Sequence, residues 1–583
     1  MKILSWAGLA LVLVLAPNAN VSATDIKTPK PLSDRDAASY KRIFALQEMG
    51  SWRKADREIA RLSNRILVGH VEAQRYLHPT KYRSKYKELA AWLKEHADHP
   101  DARRIYKLAL KRKPRRARAP RRPVYGNGYA GSPQAKRVYG TYYRLRNAGV
   151  GITRATRNFH RRVRSLVYRQ RLTSAGKYVD RAERRGMHRA HIDIARARIA
   201  AGWFYYGNDK QTLTIAARAA RRNGALAPFA WWYGGLAAFR SGDHLRAAEN
   251  FEALATTTGI SGATRAAAAF WAGRSNMIAR RPARTSRYLR IAAEEHSDFY
   301  GILARRVLGM DSGKQWTDAG GAGGSGFGSL FGNPVTQRAL ALIQVNQRDR
   351  AERDLRQLAA GSDSDGQQAL LAAADTLSMP GLAFRTVSAM TDRQSPVVSR
   401  ALYPVPPWKP SGGFTVDRAL VFAFMRQESA FRTRAKSRAG ARGLMQLMPG
   451  TASYIGDRRY RGRARDKLFD PVLNITLGQK YLRYLLQHDA VGENLFLLAA
   501  AYNGGPGNLQ KWKRKIGTDP DPLLLIESLP SRETRNFIER VLANLWIYRD
   551  RLGQDAPSLE ALAAGGIPIY ETLDSEQLAA GPR

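Results

Sequence analysis

Apolar residues along most of this chain recur three and four positions apart, the spacing that lines up one face of a helix. From Ser33 onward this period predicts helix after helix. The first runs over Asp34–Gln47, with Ser33 as its cap and Asp34 and Asp36 in its first turn. Ser51–Leu67 and Tyr82–His96 follow. Between Val138 and Gly309 the pattern becomes repeated helix–turn–helix units marked by clusters of large rings and small residues: Trp203-Phe204-Tyr205-Tyr206-Gly207, Trp231-Trp232-Tyr233-Gly234-Gly235 and Phe270-Trp271-Ala272-Gly273. Small residues let helices approach, and a ring fills the adjacent gap. Spacings of roughly 30 to 40 residues predict an α-solenoid with imperfect units, a plain helical bundle being the alternative. Most of these rings are expected in the core and a minority in a groove.

Breaks in the pattern mark the organisation. Lys113 to Pro133 is rich in Arg, Pro and Gly and has no acid, so a basic insertion is expected over about 111–135. It reads equally as a polyanion-binding strap or a solvated loop. A glycine-rich, charge-free stretch over 319–332 predicts a flexible loop; no Gly-Lys-Ser/Thr follows, which argues against a phosphate loop. Helical pattern returns over Pro334–Asp392, and Tyr403-Pro404-Val405-Pro406-Pro407-Trp408-Lys409-Pro410 ends it. Beyond lies a predicted helix over Val416–Phe431, with Thr415 as its cap. Leu420, Phe424 and Glu428 share one face of it. Glu428 thus stands at the end of an apolar helix, and no Asp or Glu occurs between Ser429 and Gly456. Desolvation and the negative end of the helix dipole both favour a neutral carboxyl, which is what a general acid needs. The plainer reading pairs Glu428 with a neighbouring arginine.

Composition adds three constraints. At 583 residues with 44% hydrophobic content, two or more folded domains are expected. Met1-Lys2, an apolar run from Ile3 to Ala16 and Val21-Ser22-Ala23 read as a secretory signal peptide cleaved after Ala23, too short to span a bilayer. The chain has no cysteine, which excludes disulfides, thiol nucleophiles and cysteine metal sites. Its ten histidines show no ligand spacing, so no metal or cofactor is expected. A net charge of +48 fits an anionic partner, with compositional bias as the alternative. Export argues against nucleic acid.

Taken in order, Met425-Arg426-Gln427-Glu428-Ser429-Ala430-Phe431, Gly443-Leu444-Met445-Gln446-Leu447-Met448-Pro449, Leu468-Phe469-Asp470-Pro471 with Asn474 and Gly478, Ala500-Ala501-Tyr502-Asn503-Gly504-Gly505-Pro506-Gly507 and Glu533-Thr534-Arg535-Asn536-Phe537 resemble the catalytic domain of the soluble lytic transglycosylases of bacterial cell walls. The resemblance covers about Phe414 to Arg549, and more weakly Phe299 to Gly309. It implies an all-α protein: signal peptide 1–23, helical superhelical scaffold 24–410, catalytic domain 411–555 related to goose-type lysozyme, and tail 556–583. It implies a periplasmic enzyme whose partner is peptidoglycan, with possible ties to cell-wall machinery, no nucleic acid and no membrane span once the signal is removed. By the same resemblance Glu428 is the sole acid/base, cutting between N-acetylmuramic acid and N-acetylglucosamine to leave a 1,6-anhydro end. Ser429, Ser437, Gln446, Met448, Tyr502, Asn503 and Phe537 are the implied substrate contacts. Many relatives carry Tyr where this chain has Phe537. No second acid neighbours Glu428 in sequence, although Asp457, Asp466 and Asp470 could approach in space. A hydrolase of the same fold and a non-catalytic wall-binding scaffold are the competing readings.

Overall fold

The helix over Asp34–Glu48 starts where Ser33 accepts a hydrogen bond from Asp36 N (3.2 Å), as its sequence predicts. In this computed structural model the described residues are 28–124, 141–312, 316, 326–359, 362–387, 390, 396–517 and 521–574. The segment read as a signal peptide, residues 125–135 of the expected basic insertion and 319–325 of the glycine-rich stretch lie outside them. The described residues are helical, with isolated bridges and no β-strand. None of the described helices is long and apolar enough to cross a membrane.

The chain divides into two compact units. The first holds residues 1–124, 320–355 and 368–376. Its helices are shorter than the period predicts: only Trp52–Ala60 forms of the expected Ser51–Leu67, a separate helix Val68–Tyr76 follows, and Tyr86–Glu95 starts four residues late. The break between the first two serves Asp36, whose buried carboxylate accepts from Ser63 N and Asn64 N (3.1 and 2.9 Å). The described start of the basic insertion is folded against this unit. Arg121 donates to Lys94 O (2.8 Å) and Val124 N to Ala97 O (3.0 Å). The end of the glycine-rich stretch is likewise ordered, because Phe327 is fully buried and packs edge-on against Phe331 at 4.9 Å. A buried ring outweighs the backbone freedom of its flanking glycines.

The second unit holds residues 125–319, 356–367 and 377–583. Helices Arg189–Tyr205, Asp209–Asn223, Phe229–Arg240, His244–Ala255, Gly262–Ile278 and Pro282–Ala293 each pack on the next, the neighbour-on-neighbour order of a solenoid. The ring-and-small clusters form this core: a Cβ on Gly235 would stand 2.7 Å from the Phe251 ring, and Trp271 is fully buried. These helices dock on the C-terminal segment. Phe299 stacks on Trp546 (5.2 Å), Arg274 pairs with Asp521 (2.7 Å), and Tyr300 donates to buried Glu527 (2.6 Å).

The helix carrying Glu428 spans Arg418–Ser429, shorter at both ends than expected. Thr415 does not cap it. Asp417 occupies the cap position, yet its carboxylate turns to the C-terminal segment, where it accepts from Leu573 N (3.0 Å) and meets Arg549 (3.2 Å) with both side chains buried. Residues beyond 555 also pack here. The helix Pro557–Ala563 follows, Trp546 donates to Ser558 (3.1 Å), and Arg418 pairs with Asp574 (2.9 Å). Replacing one partner of a buried ion pair strands the other. Asp417→Ala should therefore cost about 3–5 kcal/mol, read as a lower urea midpoint with tryptophan fluorescence.

Candidate active site

Burial surrounds the acid helix. Leu420, Phe424 and Met425 are fully buried, and the helix packs against the long helix Arg532–Arg551. It stops abruptly at Ala430 and Phe431, both with left-handed backbone (φ 50° and 61°). Such residues rarely adopt that conformation, so the turn after Glu428 stores strain that its packing must hold. Ser429 is 1% exposed, and its hydroxyl donates back to Met425 O (3.1 Å). That bond secures the helix end.

Glu428 has no ion pair or hydrogen bond among the described residues, although basic residues flank it. Arg426 is buried and turned away, donating to Leu402 O (2.8 Å) and Asn544 (2.5 Å) and lying 3.9 Å over the Tyr403 ring. Arg432 donates to Ser429 O (3.1 Å). The paired-glutamate reading therefore fails. Burial, with a smaller contribution from the Glu533 carboxylate, pushes the Glu428 carboxyl up to about 8. Glu533 is exposed and stands in the first turn of the helix Arg532–Arg551. It is the acid that the fold brings toward Glu428, and the sequence reading missed it although its motif was in view. Asp466 instead pairs with Arg442 (3.5 Å), and Asp470 caps the helix Pro471–Leu486 (2.8 Å to Leu473 N).

Aromatic rings wall the acid. Phe424 lies 4.6 Å from Tyr502 and 5.9 Å from Phe537, and Tyr481 lies 5.3 Å from Tyr502. Burial first, then the Glu428 charge, holds the Tyr502 hydroxyl protonated well above its ordinary range. That hydroxyl donates to Met445 O (2.8 Å), which ties this wall to the Gly443–Met448 segment. Phe537 stacks parallel to Tyr502 at 6.4 Å and supplies packing without a hydroxyl.

The Gly443–Met448 segment is built by Asn474, whose amide donates to Leu468 O (2.8 Å) and Arg442 O (3.0 Å) while accepting from Met445 N (2.8 Å). A Cβ on Gly443 (φ 80°) would sit 2.3 Å from that amide, so only glycine fits. Gln446, left-handed at φ 46°, donates through Nε2 to Gly443 O (2.8 Å) and Ala435 O (3.1 Å). Its Oε1 has no partner among the described residues and remains available as an acceptor. Met448 is 41% exposed at the start of the helix Pro449–Ile455. The Ser437 hydroxyl accepts from Ala441 N (3.0 Å) and closes the preceding turn. Asn503 accepts from Thr534 (2.8 Å), joining the Tyr502 helix to the turn that carries Glu533. The fold therefore gathers Glu428, Tyr502 and Phe537 around one acid, with Gln446 and Met448 on the adjoining segment. Ser437 and Asn503 have bonds that hold neighbouring backbone and side chains in place. Among the described residues no cluster of His, Asp and Glu could hold a metal ion.

With this geometry in view, comparison with known proteins defines the class: residues 409–523 match the transglycosylase SLT domain. The soluble lytic murein transglycosylase of Salmonella typhimurium is 39% identical over 148 residues, which cover 24% of this chain and 22% of that protein. That of Escherichia coli K12 is 37% identical over 158 residues, covering 27% and 24%. The aligned stretch thus spans about a quarter of each relative's length. The 70-kDa soluble lytic transglycosylase of Escherichia coli has a similar fold across 92% of this chain and all of its own (TM-score 0.53, 17% identity). An inactive mutant of the Pseudomonas aeruginosa enzyme has a TM-score of 0.55 at 19% identity, covering 90% of this chain and 88% of its own. Residues 409–523 of this chain are therefore a transglycosylase SLT domain, and the fold around them is similar to that of the soluble lytic transglycosylases.

Two measurements test the electrostatics. If the protonated form of Glu428 is the one that acts, kcat/KM should fall as pH rises through about 8. Glu533→Gln removes a like charge and should shift that limb to lower pH. For stability, the raised folded value means that the unfolded chain ionises first. Between the ordinary 4.5 and about 8, the native state therefore binds more protons and loses stability as pH rises. Glu428→Gln should accordingly be more stable than wild type by a margin that grows with pH across this window and then levels off, as thermal melts at stepped pH would show.

Proposed function

We propose that this protein is an exported, periplasmic lytic transglycosylase that cuts the glycan strands of peptidoglycan with Glu428 as acid and then base. The supporting observation is a carboxyl without a partner among the described residues, pushed up to about 8, within an SLT domain. Protonated Glu428 donates to the oxygen linking N-acetylmuramic acid to N-acetylglucosamine. The resulting carboxylate takes the proton of the muramoyl 6-hydroxyl, and that oxygen attacks C1. The C1–O bond to the leaving sugar breaks, a 1,6-anhydro ring forms, and no water is consumed. Gln446 Oε1 can accept from an acetamido N–H, while Met448 gives the sugar an apolar contact. Helices of the second unit brace the catalytic segment through Tyr300 and Arg274. Named relatives of the aligned segment are lytic murein transglycosylases, and the Escherichia coli structural relative is known in complex with bulgecin A.

A hydrolytic reading rests on Glu533. A two-carboxylate hydrolase needs a second acid roughly 5 to 9 Å from the first, to act as nucleophile or to activate water. Glu533 is the acid whose charge is felt at Glu428. Its exposure favours an electrostatic role, in which its charge raises the neighbouring acid.

Product mass separates the two. Digestion of purified peptidoglycan should release anhydro muropeptides, each lighter by one water than a reducing end. Glu428→Gln should lower release at least about a hundredfold, the scale of a lost general acid. Reducing ends would make the protein a hydrolase, and Glu533→Gln would then be as inactive as Glu428→Gln. No release from either, with tight binding to sacculi, would leave a non-catalytic scaffold.

A further inference from the structure

Far along the chain from the acid, the aromatic cluster at 203–207 is only partly absorbed into the core. Phe204 is fully buried, whereas Trp203 and Tyr206 are half-buried and border an open hollow of about 420 Å³. The left-handed turn at Gln170 (φ 63°) ends the helix Arg154–Tyr168 and brings Gln170, Arg171, Thr173 and Ser174 to the same hollow. These four are exposed. The side-chain polar groups of all six residues make no hydrogen bond or ion pair among the described residues. Lys515, on the helix Pro506–Ile516, stands 3.8 Å from the centre of the Tyr206 ring, a cation–π contact on a ring that borders the hollow. No acid lines the hollow.

The geometry points to a second glycan-binding site here, taking an N-acetylated sugar unit that bears a carboxylate. Flat rings with polar edges match the apolar face and hydroxyl rim of a pyranose, and they cost little conformational entropy to present. The indole N–H, the Tyr206 and Ser174 hydroxyls and the Gln170 amide offer both donors and acceptors for hydroxyl and acetamido groups. Arg171 supplies the fork that a carboxylate fits. The hollow falls within the size range of small-ligand sites. The inference rests on the peptidoglycan reading above and names a role for the solenoid in it: gripping a strand at a point separate from the cut, so that binding to long strands gains from two contacts at once.

Retention on purified glycan strands would be measured with Glu428→Gln, which binds without cutting. It would be compared with the same protein carrying Arg171→Ala with Tyr206→Ala, or Ser174→Trp, which fills the hollow from an exposed position. Each variant should lower affinity for long strands about tenfold, the effect of losing an anchoring contact. With Glu428 restored, the same variants should cleave a short tetrasaccharide at the wild-type rate. Unchanged strand affinity in both variants, with helical circular dichroism intact, would overturn the site while leaving the activity standing. Equal loss of short-substrate cleavage would also overturn it, by making these residues part of the cutting site. If wild type releases no muropeptide and Glu428→Gln binds no glycan, the proposed function fails and the second site fails with it.

Discussion

The structure depends on keeping cations away from one carboxyl. The chain has 96 Lys and Arg residues against 48 Asp and Glu, so a buried glutamate would ordinarily find a partner. Here the arginines flanking it in sequence, and others on the surrounding motifs, are engaged elsewhere. Arg426 is held by Leu402 O and Asn544, Arg432 by Ser429 O, Arg442 by Gly440 O and Asp466, and Arg535 by Leu529 O and Glu527. An ion pair would have pulled the Glu428 carboxyl down and removed its proton near neutral pH. Desolvation without compensation does the reverse, and the stability it costs is carried by the packing around the acid helix.

That packing explains the reach of the catalytic segment into the rest of its unit. The helix Arg532–Arg551 carries Glu533, Arg535 and Phe537 on its first two turns. Phe537 sits against the acid helix, while Arg535 lies 5.0 Å from the Tyr205 ring. Tyr300 reaches across to Glu527 from the solenoid side. Helices far upstream in sequence therefore hold the element that sets the field at Glu428. The strained turn at Ala430 and Phe431 and the left-handed Gln446 persist for the same reason: surrounding contacts outnumber the strained residues.

Much of this was legible in the sequence because it is local. Helical period, the Ser33 cap and the ring-and-small clusters each depend on residues within a turn or two, and each stands where expected. The apolar face of Leu420 and Phe424 leading to Glu428 was equally visible. Errors fell where a distant segment competed for a local group. Thr415 lost the cap: its backbone N–H is held by Gln479, and the helix starts after Asp417, whose carboxylate answers to residues 573 and 574. Phe327 ordered a glycine-rich stretch by finding a core.

By itself, then, the sequence determined an all-helical chain, the position of its acid and the motifs around it, since these follow from spacing and residue chemistry alone. Tertiary structure decided which charges meet. It turned Arg426 away from Glu428, brought Glu533 toward it across more than a hundred residues of chain, and set Tyr502 on Met445 O. Coulomb interaction and desolvation depend on distance in space and on what fills the gap, and neither can be read from separation along the chain.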